Sequence, residues 1–169
     1  YAWGETTIKS EYTISNSVTY GKNISEFSGN AQYDAARANW GGEWRVPTKA
    51  EFEELRYECT WEWLTLETDD GYYSNGYEVT GPNGNRIFLP ETCIYENSGY
   101  ARAGGHYWSS SPHETNNEQA YYLYLSFGDN TATVCCSSGT LRHEGMTIRP
   151  VFGGNFKEPY QSFTVNGVS

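Results

Sequence analysis

The sequence predicts an α+β domain, with two helices early and a twisted, mainly antiparallel sheet with long loops late. Three observations carry this reading. Thr48 with Glu51 three residues on forms a capping box that opens a helix. The stretch 76–90, GYEVTGPNGNRIFLP, sets two alternating segments around a turn that Pro82 and the Asn83-Gly84 pair can make. The stretch 120–127, AYYLYLSF, alternates with the period of a strand. Helical signals come first and strand signals afterwards, which is the α+β order.

Residues 1–29 alternate weakly (TIKSEYTIS, SVTYGKNIS) and read as short strands or extended loops. The run 29–42, GNAQYDAARANWGG, reads as a helix. Tyr33, Ala36 and Trp40 give it one apolar stripe, and Gly41 ends it in a left-handed cap. EWRVP is a short extended link. In the second helix Phe52 and Leu55 share a face, with Cys59 four residues on, and Glu53, Glu54 and Glu58 face water. That helix should stop near Cys59, where the β-formers of TWEWLTLE begin. Residues 91–105 read as a loop. HYWSSSP, AYYLYLSF, TATVCC and MTIRPVF read as further strands, with a turn at 128–130. No internal repeat or low-complexity tract is evident.

With 169 residues the chain can form one domain with a real core. Only 37% of residues are hydrophobic while 17% are aromatic, so the core should be rich in aromatics whose polar tips find partners. Among the tryptophans, Trp40, Trp44 and Trp108 are assigned to the core, while Trp61 and Trp63 join them as rings able in principle to stack on sugars. A net charge of −10 with scattered Lys and Arg argues against nucleic acid. No apolar run is long enough to span a membrane. YAWGETT is not a signal peptide. The low-Lys, Tyr/Asn/Gly-rich acidic composition suits an extracellular or cell-surface protein.

The alternation at 120–127 sends Leu123, Leu125 and Phe127 to the core. It sends Tyr122, Tyr124 and Ser126 outward, where tyrosine offers large contact area with few rotatable bonds. Asp129, Thr131, Thr133, Ser137, Ser138, Thr140, Leu141, His143 and Glu144 follow with no regular charge pattern and no catalytic logic. Together these residues are the candidate ligand-binding face, weighed against ordinary exposed strand and loop positions. Arg142 and Arg149 read as structural, each tied to carboxylates or carbonyls.

Cys59, Cys93, Cys135 and Cys136 match no zinc spacing. The adjacent pair Cys135–Cys136 leaves four readings open: a vicinal disulfide, a bond from one of them to Cys93 or Cys59, a metal site, or free thiols. His143 is the only base near them in sequence. His106, His113 and His143 have no ligand-like spacing, and no Ser/His/Asp set can be assigned. No catalytic residue and no metal ligand set is assigned. Asp69 and Asp70 before Gly71 offer calcium oxygens without a complete calcium-loop spacing, so a solvated acidic turn is the preferred reading.

YAWGETT, YDAARANWGGEWRVPTKAEFEEL, VTGPNGNRIFLP, YWSSSP and IRPV, taken in order, resemble the Fibrobacter succinogenes major paralogous domain family of Bacteroidetes and Fibrobacter. The resemblance spans 1–152. It implies a C-type-lectin-like fold of the formylglycine-generating-enzyme-like branch, and an exported or surface location. Some related proteins are targets of diversity-generating retroelements, which vary a C-terminal segment while the frame keeps its shape. By this resemblance the candidate face coincides with such a variable segment, and the frame of the domain includes Arg142. It also implies a first strand that this sequence does not contain, so the chain is expected to begin inside the domain, with the pairing of Cys59 open. Residues 153–169 read as a linker or the start of a following module of a longer protein. A structural calcium is known in related folds, and no other cofactor is implied.

The function expected is a bacterial surface or secreted binding module for an unknown protein or glycan, with a role in adhesion. Two alternatives stand beside it: a cysteine oxidoreductase of the formylglycine-generating type using Cys135 or Cys136, and a structural fibre or adhesion subunit whose tail pairs with a neighbour.

Overall fold

The computed structural model describes residues 1–67, 69, 71–96, 99–126 and 132–154, with the backbone alone given at 100–103 and 132–138. They form a small α+β domain with two early helices and antiparallel strands. Helix α1 is Ala35–Trp40 and α2 is Lys49–Glu58. The strands are β1 (Trp44–Arg45), β2 (Thr60–Glu67), β3 (Tyr73–Thr80), β4 (Arg86–Pro90), β5 (Thr92–Glu96), β6 (Gly99–Pro112), β7 (Gln119–Leu125), β8 (Ala132–Leu141) and β9 (Val151–Phe152). They pair as three sheets: β1-β9, β2-β3-β4 and β5-β6-β7-β8.

Residues 1–33 contain no strand. The alternation there buries nothing on one face, since Ile8 is 75% exposed, and without a packed face the chain does not join a sheet. It runs instead as loop around one 3-10 turn, Ile14–Asn16, capped by Thr13. Helix α1 is shorter than its apolar stripe suggested. Asp34 caps it by accepting the Arg37 N–H at 3.0 Å, so Tyr33 lies before the helix and does not share its face with Trp40. Ala36 is buried, while Trp40 is 53% and Trp44 37% exposed, which corrects their assignment to the core. Gly41 ends the helix at φ +66°.

Helix α2 forms as read. Thr48 and Glu51 make the capping box, Phe52 is buried, and Cys59 follows as the C-cap. The hairpin of β3 and β4 also forms as read, pairing Thr80 with Arg86 across the turn. The segment 91–105, expected as loop, is instead β5 and the start of β6. Its glycines conceal the strand. A Cβ on Gly105 would sit 2.5 Å from the Leu125 side chain, so the close approach of β6 to β7 requires glycine there despite its poor strand propensity. MTIRPVF contributes only Val151–Phe152, paired with β1 in a separate ribbon, plus a bridge from Thr147 to Tyr107.

The four-stranded sheet is covered on both faces. One face carries Tyr107, Leu123 and Leu125 against Phe52 of α2 and Tyr77, Val79 and Leu89 of the three-stranded sheet. The other carries Trp108 and Ala120 against Trp3, Phe27, Ala36, Val46, Ile94 and Met146. Trp61 and Trp63 are half-buried and pack edge-on against Tyr77.

Candidate functional site

Strands β6 and β7 set cross-strand pairs in register: His106 opposite Tyr124, Tyr107 opposite Leu123, Trp108 opposite Tyr122. Leu123 and Leu125 are buried, as the alternation requires, and Phe127 lies outside the described residues. The opposite side is not an open outward face. Tyr122 and Tyr124 are half-buried. Tyr122 stacks on His106 at 5.9 Å and meets Trp108 edge-on at 6.2 Å, while Tyr124 meets His106 at 5.0 Å. Period-two alternation could place these tyrosines on one side of the sheet, but it could not see that the amino-terminal loops cover part of that side.

The remaining candidate residues divide. Ser126, Thr140 and Leu141 are half-buried. Asp129 and Thr131 lie outside the described residues, as do the side chains of Thr133, Ser137 and Ser138. His143 and Glu144 are buried, which corrects their reading as exposed contacts. They sit in the turn after β8, where the Glu144 N–H bonds to the Leu141 carbonyl at 3.0 Å and the Thr140 hydroxyl donates to the Glu144 carboxylate. Burial lowers the pKa of His143, with Glu96 opposing, and Tyr20 meets its ring edge-on.

The frame around this face is fastened by buried polar groups. Arg142 is 1% exposed. Its guanidinium donates to the carbonyls of Gln119 at 2.9 Å, Lys22 at 2.7 Å and Thr19 at 3.3 Å, and lies 4.2 Å over the Trp3 ring. Desolvation lowers its pKa to about 10, so it stays charged at neutral pH. Its structural reading therefore stands, with carbonyls as partners. Arg149 is exposed and does not share that role.

Two further hubs escaped the sequence reading. Asp34 is fully buried and accepts three backbone N–H groups, from Gly29 (2.7 Å), Val46 (2.9 Å) and Arg37 (3.0 Å). Arg45 is buried, forks onto Glu51, and donates to the Gly153 carbonyl at 2.8 Å. Burial would raise the Glu51 carboxyl, but hydrogen bonds and charge from Arg45 and the Thr48 N–H outweigh it and bring its pKa below the ordinary value. The only signal for Arg45 was its place beside the capping box; Asp34 had the generic signal of a helix cap.

YWSSSP proves to be a stitch. Between Trp108 and Pro112 strand β6 bulges, because β7 advances only from Tyr122 to Ala120 over the same span. The Ser109 hydroxyl bonds to the Tyr121 carbonyl (2.7 Å), Ser110 bonds to the Pro47 carbonyl through both its N–H (2.9 Å) and its hydroxyl (3.2 Å), and the Ser111 hydroxyl accepts the Lys49 N–H (2.9 Å).

Among the described residues no group of three or more His, Cys, Asp or Glu is placed to hold a metal. Asp69 is exposed, and Asp70 lies outside the described residues. Cys59 and Cys93 are half-buried. Cys135 stands opposite Tyr122 in register, and the side chains of Cys135 and Cys136, on which the four readings bear, lie outside the described residues. No helix among the described residues is long and apolar enough to cross a membrane. Comparison with protein families, with curated proteins and with solved structures finds no match.

Proposed function

We propose that this chain is a ligand-binding module of C-type-lectin-like build, exported to the surface of a bacterium or beyond it. It would recognise a protein or glycan through the carboxy-terminal strands β7 and β8 and the segment between them. The observation that carries this reading is the fastening of the end of that strand pair where β7 begins and β8 stops, Gln119 opposite Leu141. The Arg142 N–H bonds to the Glu118 carbonyl at 2.9 Å, and its side chain bonds to Gln119 and to the 19–22 turn. A surface set on a frame fixed in this way loses little ordering entropy on binding. The chemical irregularity of 129–141 fits a segment free to vary on that frame, as in a retroelement-diversified protein. Tyr124, Ser126, Thr140 and Leu141 are the described side chains assigned to the face; His143 and Glu144 move to the frame.

The test is an array of immobilised glycans and surface proteins probed with the wild type and with Tyr124→Ala plus Leu141→Ala. A bound partner should be lost by about tenfold or more, with Tm changed little, since a few central contacts dominate such interfaces. A partner held equally well by the double variant would place the binding surface elsewhere. The diversification element has its own test: a near-copy of the DNA for 107–151 beside a reverse transcriptase gene, differing mainly at template adenines.

A further inference from the structure

A concavity lies away from β7 and β8, among the amino-terminal loops. It is a cleft of about 380 Å³ between residues 4–9, the 18–24 loop and Gln32–Tyr33 ahead of α1. That volume suits one sugar ring with a substituent.

Its chemistry is mixed in a particular way. Lys22 lines it, and the Lys22 ammonium makes no hydrogen bond or ion pair among the described residues. Lys9 and Lys49, by contrast, are both paired with glutamates. The one carboxylate in the lining, Glu5, is buried and already engaged by Lys9, by the Val18 N–H (2.9 Å) and by the Ser17 hydroxyl (3.1 Å). It therefore repels an incoming anion little. In the same lining the hydroxyls of Thr6 and Thr7 have no hydrogen-bond partner among the described residues. Ile24 and the Tyr33 ring supply an apolar wall, and the Gln32 amide donates to the Tyr33 hydroxyl at 3.1 Å.

The site is also preorganised. The Lys22 carbonyl accepts from buried Arg142 at 2.7 Å, the Lys22 N–H bonds to the Thr19 carbonyl at 3.2 Å, and Gly21 exchanges backbone and side-chain bonds with Asn117. The cation is thus presented from a fixed turn. A cation without a charged partner among the described residues, neutral hydroxyl and amide groups, and an aromatic wall match a pyranose that carries a carboxylate: the carboxylate meets Lys22, ring hydroxyls meet Thr6 and Thr7, and the apolar ring face lies on Tyr33.

We propose that this cleft binds a carboxylated sugar residue, of the uronic or sialic acid kind. The site is independent of the β7–β8 face. The experiment is a titration of the ¹⁵N-labelled chain with sodium glucuronate and with N-acetylneuraminate, up to about 20 mM, a range that covers weak single-residue affinities. Glucose and acetate serve as the neutral-sugar and plain-carboxylate controls. The expected result is saturable amide shifts at Thr6, Thr7, Lys22 and Tyr33 with one or both sugar acids. Lys22→Met should weaken binding about tenfold, as loss of a charge-assisted hydrogen bond does, while its spectrum remains that of the folded chain. Glucose and acetate should each bind at least about fivefold more weakly. Four results would each overturn the proposal: no saturable shift, unchanged affinity in folded Lys22→Met, acetate binding as well as the sugar acids, or shifts confined to 122–141. The last would assign sugar binding to the β7–β8 face and leave that reading standing.

Discussion

The two faces of the four-stranded sheet are closed by different materials. Behind Tyr107, Leu123 and Leu125 lie a helix and a second sheet, elements that satisfy their own backbone groups and need only apolar contact. In front of Trp108 and Tyr122 lie mostly loops, with only Ala36 of the short helix α1 among them. Loop backbone has no ladder to join, so its buried polar groups need side-chain partners. Asp34, Arg45 with Glu51, Arg142 and the serines of YWSSSP supply them. The lesson is that a chain poor in aliphatic residues can still cover both faces of a sheet, provided buried polar side chains take the place of secondary structure on one of them.

The contrast can be broken at either face. Arg142→Met should have the largest effect, destabilising by about 4 kcal/mol, because it removes three charge-assisted bonds to the carbonyls of Thr19, Lys22 and Gln119 and the stacking on Trp3. Hydrogen exchange should show the loss first in residues 1–34, with β2–β4 protected. Equal loss everywhere would show that the faces are not separable. Leu123→Ala should cost about 3 kcal/mol through a cavity, with protection lost in β6, β7 and α2. Asp34→Asn should cost about 2 kcal/mol, since one of the three accepted bonds is lost to an amide donor.

Acid should separate two contributions further. Burial keeps the folded pKa of His143 below its ordinary value, so the unfolded chain takes up that proton first. Stability should therefore fall as pH drops below about 6.5, and His143→Gln should flatten that part of a urea-denaturation series. Glu51 has a lowered folded pKa, so its contribution is complete above the ordinary carboxylate value and is lost as pH falls through the folded one. Glu51→Gln should lower the neutral plateau and flatten this more acidic limb, leaving the His143 step in place. The smallest effect is expected at Trp40→Ala, within about 0.5 kcal/mol, because the ring is exposed.

What was legible in the sequence follows the same division. Thr48 with Glu51 and the Asn83-Gly84 turn are local devices whose geometry depends on neighbours in sequence, and both formed as read. Leu123 and Leu125 were also legible, because strand alternation is local. The ends of α1, the burial of His143 and Glu144, the half-covering of Tyr122 and Tyr124, and the strand hidden in 91–105 depend on contacts far along the chain. Glycine at 105 and polar residues at 34 and 45 look like breakers or surface until their partners at Leu125, Val46 and Gly153 are known. That the Lys22 ammonium has no charged partner among the described residues was invisible for the same reason.

Trp40, Trp44 and Phe152 form a run of edge-to-face rings, 6.4 and 5.1 Å apart, at the end of the domain where β1 meets β9. Two of the three are 53% exposed. In colloidal terms this is a sticky spot on a particle kept apart by like charge. At neutral pH the net −10 opposes contact between molecules, but near the isoelectric point of about 4.7 that repulsion vanishes. Light scattering should then rise with self-association through this corner, and Trp40→Ser with Phe152→Ser should suppress the rise without changing the isoelectric point.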